Sequence, residues 1–391
     1  MRVLFAIAAV SMLAGCGSVY SLEYIARVVS HQDAGTEDFR WKNSVSIPAS
    51  TAPHPLALDT SHDEQILRAI EAHLDGSTLT QFMTETSTQS LVVMRGGEIV
   101  FERYAHGFDH TSPQAVFSVS KSVLSLLVGR AVEMGAISLD APITRYVPEL
   151  AERDPRFDRI TLAHLIDMRS GLRFQEEVSF PFINRDKPLV YYASDLRETV
   201  LTQARIETEP GPFLYNDYNP NLMALALERA LGPARLAAMR NELWQELGAE
   251  NAASWSSDSR GFPYWESGFV ATPRDLAKVG QLMLDDGGST LLSASWRDRI
   301  LSYTPDEAPV RYDGGQWGYR GGWWLILRAD NRHDVAAVGR FGQLIYVSPS
   351  YGIVFVRTGA DAHPPGDGTF ARLFYALAPA LSAQTPPSVS E

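Results

Sequence analysis

The alternation of apolar and polar positions predicts β-strands in an early and a late part of the chain. Residues 90–94 and 98–104 are β-rich runs on either side of Arg95-Gly96-Gly97, a turn signal that predicts a hairpin. Four later runs are short, apolar and separated by turn residues: 322–327, 335–338, 343–347 and 352–356. Residues 370–378 then have the pattern of a final helix.

The chain between these strands has the capping signals and periodicity of helices. Residues 118–134 are apolar on nearly every side and end before Gly135, which predicts a buried central helix. Three further helices are predicted, each at a helix-start signal. Thr161 precedes the helix at 162–169, Asn219-Pro220 precedes the helix at 221–231, and Thr272-Pro273 starts the helix at 273–284.

This order of elements predicts an α/β (α+β) fold. The simplest packing joins the early hairpin to the late strands in one antiparallel sheet flanked by helices, formed by residues 86–135 and 290–385. Residues 136–289 would then be an inserted, all-helical lobe, and a site is expected in the cleft between the two lobes. Residues 17–85 show little periodicity, so we expect a tether and lead-in arm there.

The first 16 residues have the layout of a secretory signal peptide. Met1-Arg2 precede an apolar run from Val3 to Leu13, which is too short to remain as a spanning helix. Leu13-Ala14-Gly15-Cys16 also resembles the lipobox of bacterial lipoproteins, in which the cysteine is lipidated; an ordinary cleaved signal is the alternative. Lipidated Cys16 would hold the domain to a membrane surface in the periplasm, and Gly17 in place of aspartate favours the outer membrane.

Composition excludes several other classes of protein. The 391-residue chain has a net charge of -12, which disfavours a nucleic-acid partner because such surfaces are basic. Cys16 is the single cysteine, which excludes an internal disulfide and a thiolate metal cluster. No His-Glu-x-x-His, Gly-x-Ser-x-Gly or phosphate-loop pattern is present, so we expect neither a metal nor any other cofactor.

The tetrapeptide Ser118-Val119-Ser120-Lys121 carries candidate chemistry at the start of the buried helix. Positions i and i+3 share a helix face, so the Ser118 hydroxyl and the Lys121 ammonium can meet, whereas Ser120 cannot face its neighbour. A hydroxyl is a weak nucleophile that needs an activating base, and a buried lysine can serve. The alternative is a helix cap at Ser118 with Lys121 pointing outward.

The surrounding sequence resembles the class C β-lactamase and penicillin-binding-protein-like serine hydrolases, in particular their esterase and 6-aminohexanoate-oligomer hydrolase branch. The resemblance covers residues 91–377 and rests on motifs in the family's order: 117–122, 147–150, 168–172, 272–277, 322–324 and 339–343. It implies a β-lactamase/transpeptidase-like fold, Ser118 as nucleophile and Lys121 as its activating partner.

The family's second motif, Tyr-x-Asn, corresponds to Tyr215-Asn216-Asp217, which implies that Tyr215 moves protons to and from the nucleophile and the leaving group. Tyr218 offers a competing register, although Asn219 is better used there as a helix cap. Tyr215 as a packing tyrosine is the structural alternative. Aspartate replaces the family's asparagine at Asp217, which should change how Lys121 is held and how a substrate amide is bound.

The third motif corresponds to Arg340-Phe341-Gly342 on the strand that lines the site. The resemblance implies that Gly342 lets substrate approach, that Arg340 supplies positive charge, and that the Gln343 N–H is an oxyanion donor beside the Ser118 N–H. Phe341 is bulkier than the family's usual residue and should narrow this edge. Trp323 and Trp324 could line the cleft, but at least one should be core because neighbouring strand positions face opposite ways.

Together these features predict a serine hydrolase that forms an acyl-enzyme on a small-molecule ester or linear amide, since the altered motifs disfavour efficient β-lactam hydrolysis. A DD-peptidase or β-lactamase-type activity remains open, because Arg340 could bind a substrate carboxylate. A non-catalytic, lipid-anchored binding protein of the cell envelope is the alternative from a different class.

Overall fold

The computed structural model describes residues 18–176, 185–284, 291–302, 310–312, 315–328, 332–360 and 368–382. Its strands are β1 (Asn43–Ile47), β2 (Thr88–Arg95), β3 (Glu98–Tyr104), β4 (Gln114–Ala115), β5 (Ala253–Ser257), β6 (Phe269–Ala271), β7 (Val310–Tyr312), β8 (Gly315–Arg320), β9 (Trp323–Leu327), β10 (His333–Gly339), β11 (Gln343–Ser348) and β12 (Ile353–Gly359).

The helices in these ranges are α1 (Leu22–His31), α2 (Asp63–Glu71), α3 (Leu79–Glu85), α4 (Val119–Glu133), α5 (Glu149–Arg153), α6 (Leu162–Ile166), α7 (Asp186–Tyr191), α8 (Leu196–Gln203), α9 (Tyr218–Leu231), α10 (Pro233–Glu246), α11 (Pro273–Gln281), α12 (Ala294–Leu301) and α13 (Thr369–Ser382). None of the helices within the described ranges is long and apolar enough to cross a bilayer. The signal peptide and Cys16 lie outside the described residues.

The larger sheet joins the early hairpin to the late strands, as the sequence predicts. Its order is β3-β2-β12-β11-β10-β9-β8-β7, and every neighbouring pair is antiparallel. The connecting pair is β2 with β12, in which Val92 lies opposite Val356. Both faces of β2 are buried, which is why its residues Leu91 to Met94 form a continuous apolar run instead of an alternating one.

Helix α4 is the buried central helix that the sequence predicts. Small residues let its neighbours approach closely: a Cβ on Gly129 would lie 2.7 Å from the Trp296 ring, and one on Gly322 would lie 2.9 Å from the Lys121 carbonyl oxygen. The first turn of α4 is thereby packed directly against the turn that precedes β9. This contact positions the start of the helix, where the candidate nucleophile lies.

A second sheet corrects two predictions about domain organisation. Its order is β1-β5-β6-β4, so strands β5 and β6 fall within residues 136–289, which are therefore not all-helical. Strand β1 pairs with β5 from Asn43 to Ile47, and α1, α2 and α3 precede or follow it. The tether interpretation of residues 17–85 is therefore wrong for residues 18–85. These elements are too short for a periodic pattern to stand out, and contacts far along the chain stabilise them.

Two helix starts also differ in detail from the prediction. Thr161 caps α6 as expected, since its hydroxyl accepts the His164 N–H. Helix α9 begins at Tyr218, three residues earlier than predicted, and Asp217 is its N-terminal flanking residue. Asn219 is therefore inside the first turn and is not the cap, because its side chain is used in a buried contact with Ser170.

Helix α1 offers a test of whether the N-terminal segment is part of the folded domain. Tyr24 is fully buried on this helix, against a cluster that includes Leu189 and Tyr192, whereas Leu22 is 74% exposed. We predict that Tyr24→Ala lowers the free energy of unfolding by about 3 kcal/mol because it empties a packed site. Leu22→Ala, the control, should change it by less than about 0.5 kcal/mol. Urea unfolding of the purified chain measures both, and equal small effects would support a tether.

Candidate active site

Ser118 and Lys121 meet at the N-terminal end of α4. The Lys121 ammonium donates to Ser118 Oγ at 2.9 Å and to the main-chain carbonyl oxygen of Glu266 at 2.8 Å. Asp217 Oδ1 lies 2.8 Å from the same nitrogen. Lys121 is buried while Ser118 is half-buried, so the serine is the member of the pair that solvent or a substrate can reach. The outward-pointing alternative for Lys121 is therefore wrong.

Hydrogen bonds from neighbouring serines hold this helix start in place. Ser120 Oγ donates to the Phe117 carbonyl and accepts the Phe269 N–H, which ties the turn to β6. Ser122 Oγ donates to the Gly322 carbonyl at 2.7 Å, which ties it to the turn before β9. Ser120 is thus structural, in agreement with the expectation that it cannot face Lys121.

Tyr215 is the tyrosine that lies beside Lys121. Its ring centroid is 4.8 Å from the Lys121 nitrogen, and the ring stacks on Trp324 at 5.5 Å. Tyr218, the competing candidate, is fully buried and donates its hydroxyl to Asp186 at 2.9 Å. Both tryptophans are core residues, in agreement with the expectation that at least one is: Trp323 packs in the core around α4, and Trp324 is buried in the other main cluster, where it stacks on Tyr215.

The segment 168–172 supports the loop that carries Tyr215. The Leu214 N–H donates to the Met168 carbonyl, and Ser170 Oγ donates to the side-chain oxygen of Asn219. Asn216 donates its side-chain N–H to the Leu172 carbonyl and is itself buried. These contacts come from residues about 45 positions apart, so the position of Tyr215 depends on the packing of the two segments.

The end of β10 passes directly beside Ser118. A Cβ on Gly339 would clash with the Val116 carbonyl oxygen and would lie 3.2 Å from the Ser118 nitrogen, so only glycine allows this approach. The prediction that Gln343 supplies an oxyanion donor is wrong, because its N–H donates to the Arg340 carbonyl within a tight turn. Gly342 does not line the site either, since it is packed against Arg357 and Phe370. In the sequence, Gly339 is the first residue of the motif 339–343, and this position is the signal that could have identified it.

The Gly342 correction has a packing cause. A Cβ there would lie 2.6 Å from the buried Arg357 guanidinium and 2.7 Å from the Phe370 ring. Arg357 also donates to the Phe341 carbonyl, which fastens the turn to β12. Glycine at position 342 therefore serves close packing of this turn and not substrate approach.

Two phenylalanines with left-handed backbone lie next to the candidate nucleophile Ser118. Phe117 has φ 47° and Phe341 has φ 63°, a conformation that costs free energy for residues other than glycine. Their rings meet edge to face, with centroids 5.3 Å apart. The strained turns thus place an apolar edge next to Ser118, consistent with the expectation that Phe341 narrows this side.

Arg340 forms a bidentate ion pair with Asp33. Its two terminal nitrogens donate to the two carboxylate oxygens at 2.9 and 2.8 Å. Asp33 follows α1, within the residues for which the sequence predicts a tether. The hydrogen bond from Arg340 is the main reason why the pKa of the Asp33 carboxyl is lowered. The positive charge of Arg340 that the sequence predicts at this edge is therefore paired with the Asp33 carboxylate.

Glu266 is a candidate functional residue that sequence reasoning missed. Its carboxylate is buried and accepts hydrogen bonds from Asn221 and Ser267, each at 2.9 Å. Burial raises the pKa of the Glu266 carboxyl to about 7; the Asp217 carboxylate adds to the rise and the Lys121 ammonium opposes it. A lone acidic residue ahead of a short strand is a weak sequence signal, so packing alone identifies it.

Lys42 is a second buried lysine that interacts electrostatically with Glu266. Its ammonium donates to the Tyr191 carbonyl and lies over the Tyr191 and Tyr264 rings, 3.3 and 4.3 Å from their centroids. Burial lowers the pKa of Lys42, and the Glu266 carboxylate opposes that shift.

No group of three or more His, Cys, Asp or Glu side chains suited to a metal ion occurs in the described ranges.

The comparisons with known proteins agree with this site and fold. The Beta-lactamase family profile matches residues 76–380, and the chain belongs to that family. A 6-aminohexanoate-dimer hydrolase from Paenarthrobacter ureafaciens is 30% identical over 303 residues, covering 73% of this chain and 76% of that protein. Esterase EstB from Burkholderia gladioli is 27% identical over 192 residues, covering 44% and 49%.

Solved structures show the same fold. A Bacillus anthracis protein assigned as a 6-aminohexanoate-dimer hydrolase superposes with a TM-score of 0.72 at 21% identity, covering 94% of this chain and 97% of that one. A class C β-lactamase mutant gives a TM-score of 0.59 at 14% identity, covering 81% and 98%. With amide and ester hydrolases among its relatives, the chain is a serine hydrolase of this family. Residues 18–75 precede the matched region.

Glu266 makes stability depend on pH in a direction that can be tested. Its pKa rises from 4.5 to about 7 on folding, so the native state binds more protons between these values. The stabilising contribution is complete below pH 4.5 and is lost as pH rises through 7. We predict that Glu266→Gln removes this loss, on the order of 3 kcal/mol in unfolding free energy.

Urea unfolding of wild type and Glu266→Gln between pH 4.5 and 7 measures this effect. Glutamine keeps an acceptor for Asn221, and the other charged groups facing position 266 (Lys42, Lys121 and Asp217) are common to both proteins. Parallel pH profiles would show that Glu266 does not carry the raised pKa.

Proposed function

We propose that this chain hydrolyses an ester or a linear amide through an acyl-enzyme on Ser118. The observation that carries the proposal is the 2.9 Å hydrogen bond between Lys121 Nζ and Ser118 Oγ at a helix start that solvent reaches. A serine needs a positioned base to become a nucleophile, and the lysine is held at bonding distance by groups from two other segments.

The Lys121–Tyr215 pair takes the proton from Ser118 as its Oγ attacks the substrate carbonyl carbon. The pair acts as a base once it has given up one proton to solvent, and the contacts of Lys121 Nζ with Ser118 Oγ, the Glu266 carbonyl and Asp217 Oδ1 hold this nitrogen beside the hydroxyl. Tyr215 then delivers a proton to the leaving group, and water hydrolyses the acyl-enzyme by the reverse path. Asp217 in place of asparagine gives Lys121 a full counter-charge.

The negative charge that develops on the carbonyl oxygen needs two positioned donors. The Ser118 N–H is one, at the N-terminal end of α4, where the helix dipole also favours negative charge. Because the Gln343 N–H donates to the Arg340 carbonyl, we assign the second donor to a backbone N–H at the end of β10. Gly339, the residue of that strand packed on the Ser118 nitrogen, permits the approach.

The apolar edge formed by Phe117 and Phe341 favours a substrate with an uncharged, apolar portion next to the scissile bond. The named amide and ester hydrolases among the relatives support the same substrate class. A DD-peptidase is the second candidate, because Arg340 lies at the position from which a terminal carboxylate would be bound. In the structure Asp33 already occupies its guanidinium, which favours the first candidate.

We also propose that the enzyme works in the cell envelope, anchored through lipidated Cys16. The proposal rests on the signal-peptide layout of residues 1–16 and on the cysteine at its end. The folded segment that starts at Ser18 would place the domain next to the membrane surface, because one residue separates it from the anchor.

Active-site labelling tests the nucleophile. We predict that a fluorophosphonate adds one adduct to the wild-type chain and none to Ser118→Ala, because only the activated serine reacts. Intact-mass measurement, with Ser120→Ala as the control for a neighbouring serine, reads this out. Labelling by fluorescent penicillin as well would favour the peptidase, and absence of any adduct on folded wild type would favour a binding protein.

Tyrosine substitutions test the proton path. We predict that Tyr215→Phe lowers kcat/KM on a nitrophenyl ester by about 100-fold or more, as loss of a positioned proton donor does. Tyr218→Phe removes only the buried bond to Asp186 and should affect thermal stability more than turnover. The reverse pattern, with turnover dependent on Tyr218, would show that the competing register is the functional one.

A further inference from the structure

Residues 18–42, here called the N-terminal arm, cross from the α7–α8 region to the strand end beside Ser118. At one end α1 packs on Leu189 and Tyr192, and Arg27 donates to the Ala193 carbonyl at 2.7 Å. At the other end Asp33 reaches Arg340, the residue that follows Gly339. The arm therefore contacts two different segments, of which the end of β10 lies beside Ser118.

The Asp33–Arg340 pair is built to hold both charges in one geometry. Each of the two terminal guanidinium nitrogens donates to a different carboxylate oxygen, the fork arrangement that gives arginine its selectivity for carboxylates. Gln32, immediately before Asp33, has a left-handed backbone with φ 53°, which turns the chain out of α1 toward Arg340. The lowered pKa of Asp33 keeps this carboxyl ionised at neutral pH.

Arg340 is close enough to the nucleophile for its charge to matter to a substrate. Its guanidinium lies over the Phe341 ring at 4.8 Å, and that ring contacts Phe117, which directly precedes Ser118. The side chain is 35% exposed and Asp33 is 76% exposed, so a substrate group can reach the pair from solvent. A substrate carboxylate would have to displace Asp33 to bind the guanidinium.

We propose that Asp33 is a specificity-determining residue: by occupying Arg340 it directs the enzyme to substrates without a carboxylate near the scissile bond. The inference rests on the proposed function, because it concerns the choice of substrate by the Ser118 site. A substrate carboxylate finds its cationic partner Arg340 already paired with Asp33, and displacing Asp33 costs binding free energy. Neutral esters and amides do not have to displace Asp33, so their binding does not carry this cost.

Two matched pairs of esters test the inference on the full chain. One pair differs in the leaving group, 3-acetoxybenzoate against its methyl ester; the other differs in the acyl group, the 4-nitrophenyl monoester of glutaric acid against 4-nitrophenyl pentanoate. The quantity measured is kcat/KM for the carboxylate member divided by kcat/KM for its neutral partner. Each ratio cancels changes in folding or in the concentration of active enzyme.

We expect Asp33→Asn to raise this ratio about tenfold in at least one pair, the size that one charge-assisted contact supplies. Glu37→Gln is the matched control, since it removes a negative charge from the same arm where Glu37 pairs with Arg40 instead. An Arg340→Gln background should abolish the effect of Asp33→Asn, and 1 M salt should shrink it because the pair is partly exposed.

Unchanged ratios in Asp33→Asn, or an equal rise in Glu37→Gln, would overturn the inference while leaving the hydrolase intact. Persistence of the rise in the Arg340→Gln background would also overturn it, because Asp33 would then act by another route. Absence of turnover of every neutral ester by wild type is a different outcome, which contradicts the proposed function itself. The two failures are therefore distinguishable in one set of assays.

Discussion

The buried ammonium of Lys121 is the interaction on which the rest of the site depends. A lysine in the interior loses its hydration, and only acceptors placed at bonding distance make its charge tolerable. Here the acceptors come from three segments: Ser118 on its own helix, the Glu266 carbonyl ahead of β6, and Asp217 ahead of α9. Helix start, second sheet and Tyr215 loop must therefore assemble together before the serine has its partner.

Buried charges extend from this lysine toward the N-terminal arm. Asn221 donates to the Asp217 carbonyl and to the Glu266 carboxylate, so one side chain links the two acidic residues. Lys42 at the end of the arm then interacts electrostatically with Glu266. Burial lowers the pKa of Lys42 and raises that of Glu266, and the Glu266 carboxylate opposes the shift of Lys42 because charges interact more strongly in the interior than in water.

The arm is also the part of the structure on which the proposed substrate selectivity depends. Helix α1 covers an apolar surface near α7, and Asp33 pairs with Arg340 close to Ser118. The strained Phe117 and Phe341 add an apolar edge to the same region. The candidate catalytic residues thus lie in a setting in which the neighbouring positive charge of Arg340 is balanced by Asp33 and the adjoining surface is apolar.

The sequence alone determined what depends on short separations: the hairpin, the buried helix, and the i, i+3 meeting of Ser118 with Lys121, since these follow from local periodicity. Motif order then indicated Tyr215. Tertiary structure decided the rest. Whether Gln343 can donate depends on the turn at Phe341, and the partnerships of Glu266 and Asp33 join residues that lie far apart along the chain. Such contacts arise from packing of distant segments, which no local pattern of residues encodes.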